Sequence, residues 1–133
     1  LCKGRHIFGH ATDDQHEPAH YFVAWNMVQW PKGEPVTPAG ILDALTNGRF
    51  YASTGVTISR VGVSGNSIVV ESNASEIHWI TRDGIIAQKD RTGSARFDIT
   101  HLGPDPAASL YVRAECLGCG NGKAWTQPFW IVQ

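Results

Sequence analysis

The chain has 133 residues, of which 42% are hydrophobic and 17% charged, and its formal net charge is -1. That size and composition suit one globular core and exclude a disordered chain. With no basic excess or Lys/Arg stripe, no nucleic-acid partner is expected, and with no apolar run near ~18 residues, no membrane partner.

The cysteine count is three, an odd number that builds no disulfide framework, so a reducing, cytoplasmic setting is expected. The first residue is Leu1 and the only methionine is Met27, which reads as weak evidence for a fragment.

Arg5 to Ala11 is a short apolar run and is expected to be a strand. Thr12 to Ala19 is polar, contains Pro18 and reads as a loop. Tyr21 to Gln29, rich in aromatic and β-branched residues, is expected to be a second strand. Pro31 to Pro35 breaks the chain. A helix follows. Thr37 can cap it, Pro38 suits its first position, Ile41, Leu42 and Leu45 form its apolar face, and Gly48 stands where a left-handed terminus is expected.

Beyond the helix the pattern is all strand: 49–53, 56–63, 67–71, 77–82, 85–89, 95–100, 109–115 and 124–132. Turn signals at Ser64-Gly65-Asn66, Asp83-Gly84, Gly103 to Pro106 and Gly118 to Gly122 separate them. Asp83-Gly84 between apolar runs is a strong two-residue hairpin signal. The expected fold is mainly β, an antiparallel, Ig-like β-sandwich of about seven strands with one helix and an N-terminal two-strand extension.

The richest polar cluster is His10-Ala-Thr-Asp13-Asp14-Gln-His16, with His20 close behind. In extended chain, Asp14 and His16 leave one face about 7 Å apart. A carboxylate and an imidazole so placed could share zinc, manganese or iron, ions that activate water and stabilise a phosphoryl oxygen. The commoner meaning of Asp-x-His in a polar loop is a solvated loop, since a catalytic site needs at least three protein ligands. Cys116-Leu-Gly-Cys119 could bind zinc or cycle as a redox pair, but it sits in a Gly-rich loop rather than at a helix start. His78 and His101 read as packing or surface residues. The five tryptophans read as core or interface more readily than as a sugar platform.

FGHATDDQH followed by YFVAWNMVQ resembles the last barrel segment of the PHP (polymerase and histidinol phosphatase) metal-dependent phosphoesterases. Members often carry a stretch like FGVATDDAH there. Thr37 to Gly55, ending in Gly-Arg-Phe-Tyr-Ala-Ser-Thr-Gly, is similar to the segment that joins the barrel to a C-terminal β-sandwich, and Ala124 to Trp130 is similar to that sandwich's closing strand. The resemblance covers nearly the whole chain. It implies a division into a barrel remnant over 1–36, helix and connecting strand over 37–55, and β-sandwich over 56–133, packed as one compact unit.

The resemblance also implies that Asp14 and His16 are metal ligands, with Asp13, His10 and His20 as further candidates. The family's upstream ligands, an early His-x-His pair among them, have no counterpart here, and His6 and His10 do not stand at matching positions. The expectation is therefore an accessory or remnant region of a phosphoesterase, with no catalytic residues of its own and no cofactor on the isolated chain. A divalent metal would enter only if the site were completed. The expected partner is a missing barrel domain or a second copy, because Tyr21 to Trp25 and the helix would otherwise expose apolar faces. The alternative is an independent small-molecule or carbohydrate binding module.

Overall fold

The computed structural model describes residues 6–102 and 111–131. The Gly103 to Pro106 turn, residues 109–110 and 132 of the expected strands, Arg5 and Cys2 lie outside them.

Ten strands and one helix follow in order: β1 (Trp25–Val28), α1 (Pro38–Thr46), β2 (Phe50–Ser53), β3 (Ile58–Ser64), β4 (Ser67–Ser72), β5 (Glu76–Ile80), β6 (Ile86–Asp90), β7 (Ser94–Asp98), β8 (Tyr111–Leu117), β9 (Lys123–Trp125) and β10 (Phe129–Trp130). They form two antiparallel sheets. The larger has the order β1-β2-β9-β8-β5-β6, with β10 also on β8; the smaller is β3-β4-β7. This is the mainly β, sandwich-like architecture expected from the strand spacing.

Period-two burial builds the core between the sheets. Ile68 and Val70 of β4 and Ala95 and Phe97 of β7 face Ile77 and Trp79 of β5 and Val112, Ala114 and Cys116 of β8. Trp79 is fully buried, its ring centroid 5.5 Å from that of Phe97. Its indole N–H donates to Asp90 Oδ2 at 2.8 Å, so the one polar atom of the ring is satisfied. The hairpin turn between β5 and β6 has Asp83 at φ 60° and Gly84 at φ 77°, the two left-handed residues that its sequence demanded.

Three expectations are corrected. Residues 6–11 form no strand, so the N-terminal extension contributes one strand rather than two. The strand expected over 21–29 is confined to Trp25–Val28. Its first residues are drawn off because the N–H groups of Phe22, Val23 and Ala24 all donate to the Asp13 carboxylate. The closing strand is split into β9 and β10. There Ala114 N–H donates to the Thr126 hydroxyl, and Pro128 has no N–H for the ladder.

Residues 8–11 instead form a strap across the outer face of β1 and β2. Gln127 accepts from Gly9 N–H at 2.9 Å and returns a bond to Gly9 O at 2.9 Å. Asn26 does the same for Ala11, at 2.9 and 3.0 Å. Two side-chain amides thus replace a neighbouring strand. Beneath the strap, His10 stacks on Phe50 with centroids 4.6 Å apart, and Phe8 meets Phe50 edge-on. Phe8 also lies where a Cβ on Gly48 would be, 2.4 Å from its ring, so this glycine is required both for φ 70° and for the close approach.

Helix α1 is capped as its sequence implies, with Gly40 N–H donating to the Thr37 hydroxyl. Only Ala44 of the helix is buried, and Leu42 of the expected apolar face is exposed.

Candidate functional site

The strap leads into the loop that holds the sequence's metal-ligand candidates. Asp13 stands at the turn. Its Oδ1 accepts from Val23 and Ala24 N–H and its Oδ2 from Phe22 N–H, at 2.9–3.0 Å. These bonds, from Ala24 and Phe22 foremost, hold the carboxyl below its ordinary range. Both oxygens are committed to the fold, so Asp13 acts as a clamp between the strap and the start of β1.

Asp14 follows at φ 47°, a left-handed conformation that turns its side chain outward. The side chains of Asp14 and His16 are 90% and 74% exposed. His16 Nδ1 donates to the Asp14 main-chain carbonyl at 2.7 Å, and the Asp14 carboxylate lies 4.0 Å from the same nitrogen. His16 N–H donates to His20 Nδ1 at 3.3 Å, while His20 Nε2 lies 3.2 Å from Glu17.

The loop therefore brings Asp14, His16 and His20 together and leaves His10 apart, on Phe50 under the strap. A metal held by Asp14 and His16 would need further donors. Among the described residues no group of three or more His, Cys, Asp or Glu is placed to hold an ion, so these residues alone do not fit the catalytic metal that the resemblance implies.

The Cys-x-x-Cys pair is also divided. Cys116 is fully buried in the sandwich core and burial pushes its thiol up to about 11, whereas Cys119 is exposed. A thiol so raised is a poor nucleophile at neutral pH. His78 pairs with Glu76 at 2.7 Å, an ion pair or hydrogen bond on the large sheet, and this bond holds the Glu76 carboxyl low. The described tryptophans divide as well: Trp79 is core, Trp25 is 39% exposed and Trp30 packs over Gly40.

Sequence reasoning missed Asn26 and Gln127, which seat the strap. The available signal was a lone amide inside an apolar run, in Trp25-Asn-Met-Val28 and in Trp125-Thr-Gln-Pro128. It also missed a groove of about 730 Å³ whose lining includes Met27, Tyr51, Ile58, Val61, Phe129 and Trp130. The groove lies between β1 and β2 of the large sheet, β3 of the small one and the 126–130 segment. Val61 and Val63, opposite Val70 and Ile68 in the ladder, remain exposed.

Compared with family models, curated proteins and solved structures, the chain matches none.

The Asp13 clamp makes its anchorage acid-labile. A carboxyl whose folded pKa is depressed contributes stability that is present above the unfolded value of about 4 and is lost as pH falls through the folded value. Hydrogen exchange should find the Phe22, Val23 and Ala24 amides protected at pH 6 and released below about pH 4, while β5 and β8 stay protected. Asp13→Ala should release the same three amides at pH 6. Persistent protection in that variant would show that the clamp is redundant.

Proposed function

We propose that this chain is the C-terminal accessory region of a PHP-type metal-dependent phosphoesterase, not catalytic alone, with a contact role toward the rest of such an enzyme. The observation that carries the reading is the outward presentation of Asp14 and His16, side by side and largely exposed, with too few companions among the described residues to close a metal site. His16 donates Nδ1–H to a main-chain carbonyl, which leaves the lone pair of Nε2 for a metal, the arrangement usual for a ligating histidine. Helix α1, with Leu42 and the preceding Val36 exposed, supplies apolar surface for the contact. When bound in a completed site, a divalent metal would polarise the phosphoryl group and activate water. This chain's part would be to hold two of the ligands.

The test is complementation. A PHP-type barrel truncated ahead of its own final Asp-x-His segment is mixed with this chain and Mn²⁺. Hydrolysis of p-nitrophenyl phosphate is expected in the mixture, not in either part, and should disappear with Asp14→Ala plus His16→Ala. A folded chain that restores nothing, or turnover that survives the double substitution, counts against the proposal.

A second reading, an independent small-molecule binding module, is favoured by the groove between the sheets, whose volume lies in the range of ligand sites. Ligand-induced shifts at Tyr51 and Val61 in an NMR screen would support it.

A further inference from the structure

An exposed strand edge invites another strand unless charge, proline or a bulge blocks it. Three of the edge strands are guarded. Strand β6 carries Lys89 and Asp90, β7 carries Arg96 and Asp98, and β3 carries Arg60 next to a bulge. Strand β1, by contrast, reads Trp-Asn-Met-Val and carries no charge, proline or bulge of its own, the Asp13 carboxylate meeting its edge only at Ala24.

The hydrogen-bonding direction of β1 follows from its partner. Gln29 N–H donates to Arg49 O, and the ladder pairs Met27 with Tyr51 and Trp25 with Ser53. Main-chain groups alternate sides along an antiparallel strand. Residues 25, 27 and 29 therefore bond toward β2, and residues 24, 26 and 28 point to the open edge. The N–H of Ala24 is already taken by Asp13. The free edge is thus reduced to the N–H and C=O of Asn26 and of Val28, with the C=O of Ala24 beside them.

We propose that β1 pairs with β1 of a second copy about a two-fold axis at Met27. In that register Asn26 of each copy faces Val28 of the other, and the four main-chain groups of Asn26 and Val28 on each strand are used in two hydrogen-bonded pairs, with Met27 opposite Met27. The register also keeps faces matched, since Trp25 and Met27 of both copies stay on the sandwich side of one continuous sheet. A copy of this chain supplies the required strand with its free groups at matching spacing.

The surface beside the edge is large enough. Tyr21, Phe22, Val23, Trp25 and Met27 are all exposed, Phe22 by 87%. Given aromatic side chains of roughly 150–250 Å², they leave on the order of 500 Å² of apolar surface per copy, so full burial of it in a two-fold pair would total about 1,000 Å², the threshold for a specific interface. The pairing does not depend on the phosphoesterase reading.

Sedimentation of the full chain at on the order of 100 µM should give a dimer that dissociates on dilution. Hydrogen exchange at Asn26 and Val28 should slow roughly tenfold from dilute to concentrated protein, while Met27, bonded to β2, stays protected throughout. Met27→Lys should yield a monomer. With Cys2 and Cys119 replaced by Ser, Met27→Cys should cross-link under mild oxidation, because facing residues of a non-hydrogen-bonded pair lie within disulfide reach; Val63→Cys should not. A monomer at high concentration, whose edge then serves some other extended segment, overturns the proposal. So does a dimer whose Asn26 and Val28 amides exchange at the same rate at every concentration. The exchange experiment on the unaltered chain decides the matter even where Met27→Lys fails to fold.

Discussion

Trp79→Ala should bring a large fall in the urea midpoint of unfolding. The side chain is fully buried on β5, between the two sheets, against Phe97. Truncating a buried Trp costs about 3–5 kcal/mol through lost transfer energy and the cavity left behind. Domain stability is only about 5–15 kcal/mol, so a large fraction of it would go. Urea denaturation followed by far-UV circular dichroism measures the loss, and Trp79→Phe, which keeps a ring against Phe97, should retain a clear transition. A midpoint in Trp79→Ala close to that of the unaltered chain would mean that the sheets do not meet at this residue.

Gly93→Ala is the second large effect, and its cause is contact rather than burial. A Cβ at this position would lie 2.5 Å from Ser72 O and 2.7 Å from Ala74 O. Both are main-chain atoms, fixed where β4 gives way to β5. Ser72 N–H donates to Gly93 O at 2.7 Å, so the two strands cannot separate without losing a bond. Overpacking of this kind costs about 1–3 kcal/mol, more where the neighbour is backbone. Gly62 in β3 is the control, because a Cβ there meets nothing within 4 Å. Thermal unfolding should place Gly93→Ala several degrees below the unaltered chain and Gly62→Ala within about 0.5 kcal/mol of it. Equal midpoints for the two variants would refute the crowding at Gly93.

The elements governed by local chemistry were legible. Thr37, Pro38 and Gly48 mark the helix because capping, proline geometry and left-handed backbone are properties of one or two residues. Asp83-Gly84 places its hairpin for the same reason. What escaped was decided by contacts across the sequence. Nothing in residues 6–11 distinguishes a strand from a strap, since the difference lies in Gln127, 118 residues from Gly9. The shortened β1 was hidden likewise, because Asp13 takes N–H groups ten residues away. In the candidate site, Asp14 and His16 were readable as a pair. Asp13 looked like a third member until its oxygens were found occupied by main chain. The groove was invisible because its walls come from β1, β2, β3 and the 126–130 segment, which only the folded chain brings together.

The strap carries a further consequence for how this chain tolerates change. Asn26 and Gln127 grip the peptide groups of Gly9 and Ala11 and read no side chain there. Drift at the gripped positions should therefore be forgiven wherever the newcomer clears Phe50, while exchange of either amide for an aliphatic residue undocks the whole stretch. Information about the N-terminal path is stored in the receiver and not in the received segment.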